Sequence, residues 1–215
     1  MHAIEPYLDA KTHVIWDWNG TLLNDLDLCF ELTCVLLHEN GLPQISKEHH
    51  RRHFGLPVAS YYEHLGFDLE RVPFKFFAED FMRRYHERVR ACSLFEGAQG
   101  LLSRLAEKKK RQSILSAAPE VELKELTRHF DIEHYFEFIF GLSDQYAASK
   151  IERGFQLISR WDVTHGDIIL VGDTDHDLEV GRELGIEVLL LADGHQSYER
   201  LRAFPNTLAC RYSGA

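Results

Sequence analysis

Apolar and polar positions follow two different rhythms along this chain. Residues 12–17 (THVIWD) form a β-branched and aromatic run that stops at Asn19-Gly20, the pattern of a buried strand entering a turn. From there to about residue 90 the apolar positions recur at helical spacing. Leu28, Leu32, Val35 and Leu36 predict a first helix with Asn24 as its N-cap, stopped by Gly41 and Pro43. Ser46 caps a second helix through His53, Pro57 opens a third ending near Gly66, and a longer one covers about 74–90. Nothing in this stretch reads as a strand. Beyond Glu96 the pattern alternates: helix 98–108, strand 112–117, helix 119–129 with Pro119 in its first turn, an apolar run at 136–140, helix 151–161, strand 168–172, helix 176–184 closed by Gly185, and strand 187–192.

Strands alternating with helices predict a doubly wound, Rossmann-like parallel sheet of the α/β class, covered on both faces. The all-helical stretch interrupts it after the first strand. The expected organisation is therefore a core of residues 1–22 and 95–215 with a helical cap domain, 23–94, inserted between them and hinged near Leu23 and Phe95. Ligands of such sheets bind at the carboxyl ends of the strands.

With 215 residues, 45% of them hydrophobic, the chain can bury a core and an appended unit. Residues 1–12 lack the basic start and apolar run of an export signal, and no apolar segment approaches membrane-spanning length, so no membrane association and a cytoplasmic location are expected. Cys29, Cys34, Cys92 and Cys210 show no zinc or C-x-x-C spacing and read as buried free thiols. A net charge of −10 argues against nucleic acid as a partner. Between Asp25 and Arg90 there are 11 acids against 9 Lys and Arg, a net of −2, so −8 of the total lies outside the helical stretch.

Asp17, Ser116, Lys150 and the Asp173/Asp177 pair fall where predicted core strands end or nearby loops begin. A carboxylate held rigidly after a strand, as Asp17 is by the turn through Gly20 and Thr21, can attack phosphorus. Taken alone, Asp17 reads more readily as the cap of a turn. Ser116, with the backbone N–H groups that follow at Ala117, can hold phosphate oxygens, and Lys150 offers a fixed positive charge; an isolated serine or lysine would signify little. The carboxylates of Gly172-Asp173-Thr174-Asp175-His176-Asp177 end a strongly apolar strand, and hard oxygen ligands of this kind suit Mg²⁺.

In this order, Asp17-Trp18-Asn19-Gly20-Thr21, Ser116, Lys150 and Gly172-Asp173 with Asp177 resemble the four motifs of the haloacid dehalogenase superfamily over almost the whole chain. The position of the cap is similar to that of phosphoglycolate phosphatases, β-phosphoglucomutases and phosphonatases. The resemblance implies a Mg²⁺-dependent phosphatase acting on a small phosphorylated metabolite through an aspartyl-phosphate intermediate, by a monomer or homodimer. It implies that Asp17 is the nucleophile. Mg²⁺ would be held by the Asp17 carboxylate, the Asn19 backbone carbonyl and Asp173, with Asp177 at the metal-bound water or Lys150. Ser116, Ala117 and Lys150 would hold phosphoryl oxygens, and Thr21 would orient the first loop.

The second Asp of the superfamily's first motif, an acid and base, is replaced here by Asn19, whose amide cannot exchange a proton usefully. Losing such help costs about 10²–10⁴ in rate. Slow turnover of esters with good leaving groups, a substitute acid from the cap or from His176, and a silent member that binds a phosphometabolite or a protein partner all fit this change. Asn19→Asp is expected to disturb the geometry little. A phosphonatase reading is disfavoured, because Phe54-Gly55-Leu56 is followed by Pro57, Val58 and Ala59 rather than by a Schiff-base lysine. Arg51 and Arg52, in the most positive segment of the cap, are candidate contacts for the remote end of the substrate, against a plain reading as a solvated helix face. Zinc binding by the histidines of that segment is disfavoured for want of a completing ligand.

Overall fold

The computed structural model describes residues 4–142, 149–204 and 208–210. Its centre is a six-stranded parallel sheet of β1 (His13–Trp16), β4 (Arg111–Pro119), β5 (Phe138–Leu142), β6 (Ile168–Gly172), β7 (Glu187–Leu191) and β8 (Leu208–Cys210), in the order β5-β4-β1-β6-β7-β8. The remaining strands, β2 (Leu23–Asn24) and β3 (Ser93–Leu94), pair antiparallel as a short ribbon. The doubly wound class follows the predicted alternation. β1 lies between β4 and β6, so the chain reverses its direction of winding there, and the carboxyl ends of these three strands frame one crevice.

Side-chain alternation divides the buried sheet between two cores. Val14, Trp16, Ile114, Ile169 and Val171 face one cluster, which includes helix α6 (Ala98–Glu107) and helix α7 (Glu120–His129). Ile15, Leu115, Ile168 and Leu170 face the other, packed against α8 (Lys150–Ile158) and α9 (Asp175–Leu184). A period of two on strands covered on both faces produces this division.

Between β2 and β3 stand four helices: α2 (Leu26–Glu39), α3 (Lys47–His53), α4 (Val58–His64) and α5 (Phe74–Arg88). They bury an aromatic core of their own that includes Leu37, Tyr61, Tyr62, Phe67 and Phe77. At both crossings the chain is held by the β2–β3 ribbon, with Leu23 paired to Leu94 and Asn24 to Ser93.

The details depart from the sequence expectations where signals are short. Residues 23–24 and 93–94 form strands within the stretch expected to be purely helical. Asp25, not Asn24, is the N-cap of α2, and its side chain caps nothing because it is used elsewhere. An unpredicted helix, α1 (Glu5–Asp9), seats Ile4 and Leu8 in the first core. Strand β4 runs on to Pro119, and α8 stops at Ile158. Cys29, Cys34 and Cys92 are free but only half-buried; the side chain of Cys210 lies outside the described residues. Among the described residues no helix is long and apolar enough to cross a membrane.

Candidate active site

Asp17 leaves the end of β1 with its N–H donating to the Val171 carbonyl of β6 (2.8 Å). The following turn brings the backbone against the end of β6. At Gly20 (φ +71°) a Cβ would collide with the Asp173 carboxylate and the His195 ring, so glycine meets both the left-handed backbone and the close approach. Thr21 is fully buried, and its hydroxyl donates to Asp173 Oδ1 (3.3 Å), tying the first motif to the fourth.

Lys150 opens α8 behind a reciprocal capping box between Ser149 and Glu152, which fixes where that helix starts. Its buried ammonium donates to Asp17 Oδ1 (2.5 Å) and to Asp177 Oδ1 (2.6 Å). The other Asp177 oxygen accepts from the N–H groups of Asp173 (3.2 Å) and Thr174 (3.0 Å) and from the Thr174 hydroxyl (2.8 Å). Both Asp177 oxygens are thus engaged in holding Lys150 and the start of α9, so of its two expected roles the arrangement favours orienting the lysine over ligating a metal.

These groups are nearly sealed from water: Asp17 is 7% exposed, Asp173 0%, Asp177 1% and Lys150 5%. Burial pushes the carboxyls of Asp17 and Asp173 above the ordinary range, with Lys150 opposing the rise at Asp17 and His195 opposing it at Asp173. At Asp177 burial is outweighed by the Lys150 charge and hydrogen bond, and its carboxyl lies below the usual value. Lys150 is likewise held above the usual lysine value by Asp17 and Asp177 against the effect of burial. Three carboxylates, each offering an oxygen within 4.8 Å of the others, face a single lysine. A hard divalent cation fits the Asp17 and Asp173 carboxylates of this group, with Asp177 left to hold Lys150.

Ser116 is 2% exposed at the carboxyl end of β4, and its Oγ accepts from the Ala118 N–H (3.1 Å). Together with Ala117 it lines the same cavity as Asp17 and Lys150.

The Asn19 side chain is embedded in a network that the sequence did not reveal. Its amide donates to Asp25 Oδ2 (2.7 Å) and to the Tyr85 hydroxyl (2.7 Å), and the Tyr85 hydroxyl donates to the same Asp25 oxygen (2.8 Å). Asp25 Oδ1 accepts from Gly20 N–H (3.0 Å) and lies 3.2 Å from His195 Nε2. The His195 N–H donates to Asp173 Oδ2 (2.6 Å). Burial opposes charge on this pair, but Asp25 and His195 stabilise each other. Asp25 stays below the ordinary carboxyl value, helped by Asn19 and Tyr85, while His195 is raised to about 9. His195 follows β7, so the rule that singled out Asp17, a polar residue just past a core strand, also applies to it. Asp25 and Tyr85 carry no such sequence signal.

Arg51 and Arg52 do not line the cavity. The Arg51 guanidinium donates to the carbonyls of Ala192 (2.5 Å), Gly194 (3.0 Å) and Gln196 (3.3 Å), which fastens α3 to the loop after β7. Arg52 points to solvent and pairs with Glu48 (2.5 Å), as a solvated helix face does. The expected substrate contact is therefore absent from this arrangement, because the backbone carbonyls of the core take the Arg51 donors. His176 lines the cavity and pairs with Glu179 (3.0 Å). Trp18 is fully buried in the first core.

Above Asp17 the cavity has a volume of about 610 Å³. Its floor carries the carboxylates, Ser116 and Lys150, and its walls are supplied mainly by α2, α4 and α5.

Sequence and structure comparisons agree with one another. The sequence pattern of the family described as haloacid dehalogenase-like hydrolase matches residues 14–191. The chain is 24% identical over 205 residues to a 5'-nucleotidase of Pseudomonas aeruginosa, covering 92% of this chain and 90% of that protein. A solved structure of protein tyrosine kinase A from Mycobacterium tuberculosis superposes with a TM-score of 0.76 at 22% identity, over 95% of this chain and 94% of that one. One described as a predicted phosphoglycolate phosphatase from Haemophilus somnus superposes with a TM-score of 0.73 at 18% identity, over 93% and 94%. At these identities the superpositions speak for the fold alone.

Proposed function

The chain belongs to the haloacid dehalogenase-like hydrolases, and on that premise we propose that it is a Mg²⁺-dependent phosphatase of small phosphorylated metabolites, built like a phosphoglycolate phosphatase. The observation that carries this reading is the convergence of Asp17, Ser116, Lys150 and Asp173 at the carboxyl ends of three adjacent strands and the start of α8.

An Asp17 carboxylate oxygen attacks phosphorus, forming an O–P bond as the bond to the leaving oxygen breaks. Lys150, fixed by Asp177, and Ser116 with the Ala117 backbone hold the phosphoryl oxygens and neutralise charge as it develops, on a buried floor where such donors act strongly. Mg²⁺, held by Asp17, Asp173 and the Asn19 carbonyl, would add electrostatic stabilisation of the phosphoryl group. Water then hydrolyses the aspartyl phosphate and frees Asp17. Thr21 keeps Asp173 oriented throughout.

The replacement of an acid by Asn19 also supports a second reading, a protein that binds a phosphorylated ligand and turns it over little or not at all. Rapid acid quenching after mixing with acetyl phosphate and Mg²⁺, followed by peptide mass spectrometry, separates the two. A phosphoryl group on Asp17 and release of inorganic phosphate are expected. Ligand binding with neither would favour the silent reading.

A further inference from the structure

The walls of the cavity differ in chemistry from its floor. Phe54, Tyr61, Tyr62, Phe74, Phe81 and Met82 surround the space above Asp17. Tyr61 and Tyr62 are 3% exposed, and burial raises both hydroxyls above the usual tyrosine value, so they stay neutral. Among the described residues lining the cavity, Lys150 is the one Lys or Arg, and it is already held by Asp17 and Asp177. Glu122 lines the wall as well, with one buried carboxylate oxygen that has no hydrogen-bond partner. A substrate with a second anionic group, as in phosphoglycolate, would bring that charge against aromatic rings and a glutamate, because the cations that line the cavity, Lys150 and His195, are already held by Asp17, Asp177 and Asp25. A sugar would leave most of its hydroxyls facing carbon.

The leaving-group side of the site is restricted independently. The Asn19 amide is committed to Asp25 and Tyr85, and an amide supplies no proton to a departing oxygen. A phenolic oxygen, with a conjugate-acid pKa of about 10, departs unprotonated far more readily than an alkoxide, whose conjugate acid resembles water at about 16. Wall and leaving group thus select the same chemistry.

We propose that the substrates of this site are phosphate monoesters of apolar phenols, seated with the phosphoryl group on the floor at Asp17 and the aryl ring among the aromatic side chains of α4 and α5. This rests on the phosphatase reading above. In the reaction Asp17 forms the O–P bond, the P–O(aryl) bond breaks, and the phenolate leaves with the electron pair and takes its proton from solvent. Water then cleaves the aspartyl phosphate to inorganic phosphate.

The test uses the full-length wild-type protein with saturating Mg²⁺. Turnover is compared for phenyl phosphate, benzyl phosphate, phosphoglycolate and AMP, and calorimetry compares binding of benzylphosphonate, methylphosphonate and phosphonoacetate. Phenyl phosphate should exceed phosphoglycolate and AMP in kcat/KM by about 100-fold or more. Benzyl phosphate, equally apolar but with a poor leaving group, should inhibit competitively and turn over slowly. Benzylphosphonate should bind at least about tenfold more tightly than methylphosphonate, and Met82→Ala should remove roughly tenfold of that affinity. Equal binding of the benzyl and methyl compounds, tightest binding of phosphonoacetate, or preferred hydrolysis of phosphoglycolate or AMP would overturn the proposal. If no ester is hydrolysed and acetyl phosphate leaves Asp17 unmodified, the phosphatase reading fails, while the phosphonate series still decides whether the cavity selects aryl groups.

Discussion

The two ends of the cavity above Asp17 are built on opposite principles. The floor is made of buried charges that satisfy one another: Lys150 with Asp17 and Asp177, Asp173 with Thr21 and the His195 N–H. The walls are aromatic and aliphatic, drawn from helices that surround an apolar core of their own. A charged floor fixes the reaction, because removing one member leaves others buried and unpaired. An apolar wall fixes only the size and polarity of what enters, and its members can be exchanged with graded effects. Rate should therefore respond sharply to substitutions in the floor, and substrate preference gradually to those in the wall.

The largest effect should come from the floor. Asp17→Ala should abolish the phosphoenzyme and lower turnover of an aryl phosphate by at least about 10⁴-fold. Lys150→Met should be equally inactive and also unstable, since Asp17 and Asp177 would lose the counter-charge that both of them bind. Breaking a buried pair in this way costs about 3–5 kcal/mol. Denaturant unfolding with and without Mg²⁺ checks this, and the divalent ion should restore part of the loss. A stable Lys150→Met protein would mean that the floor is less tightly coupled than its geometry implies.

Asn19→Asp comes next, and here the structure reverses the expectation of an undisturbed geometry. Asn19 Nδ2 is 2.7 Å from Asp25 Oδ2, so an aspartate at 19 faces another carboxylate instead of donating to it. A loss of about 1–3 kcal/mol at pH 8 is expected, smaller at pH 5, where one proton can be shared. The double substitution Asn19→Asp/Asp25→Asn restores one amide and one carboxylate and should recover most of the stability. It should also raise alkyl phosphate turnover by about 10²-fold, by putting an acid at position 19. If the single variant is as stable as wild type, the Asn19–Asp25–Tyr85 network is not the constraint described here.

Arg51 tests the seam between floor and wall. With its guanidinium on the carbonyls of Ala192, Gly194 and Gln196, Arg51→Ala should cost about 1–3 kcal/mol and raise KM for aryl phosphate and phosphoglycolate in parallel. A KM increase confined to phosphoglycolate would return Arg51 to the substrate contact suggested by its sequence.

How far the molecule can be read from its sequence follows the same division. Asp17, Ser116 and Asp173 lie just past or at the ends of apolar strands, and Lys150 lies at a capped helix start; these are local signals, so their convergence followed from the topology. The Asn19 network was not legible, because Asp25, Tyr85 and His195 come from three distant segments and meet only in the folded chain. The ribbon of Leu23–Asn24 with Ser93–Leu94 is too short to show an alternating pattern. Arg51 looked like a substrate contact because a positive charge in the cap suggests an anion, yet its partners are backbone carbonyls, which no sequence pattern distinguishes.

The smallest effect concerns pH and the cap side of the cavity. His50 on α3 is 1% exposed, with Nδ1 2.8 Å from the Tyr61 hydroxyl and Nε2 without a partner. Burial, reinforced by the nearby His195, Arg51 and His49, lowers it to about 3. Phe30 of α2 and Phe54 pack against its ring and bring no charge that would offset this. An unfolded histidine titrates near 6.5, so between pH 6.5 and about 3 the unfolded state binds a proton that the folded state refuses. This stability is fully present above pH 6.5 and is lost as pH falls toward 3, by about 2 kcal/mol at pH 5. His50→Gln keeps a polar partner for Tyr61 but cannot titrate. The stability lost between pH 7.5 and pH 5, measured by denaturant unfolding with Mg²⁺ absent from both samples, should therefore be about 2 kcal/mol smaller in His50→Gln than in wild type. Carboxylates elsewhere contribute equally to both proteins and cancel in the difference. Identical acid slopes would mean that His50 accepts a proton in the folded state and that the wall beside it is wetter than its burial indicates.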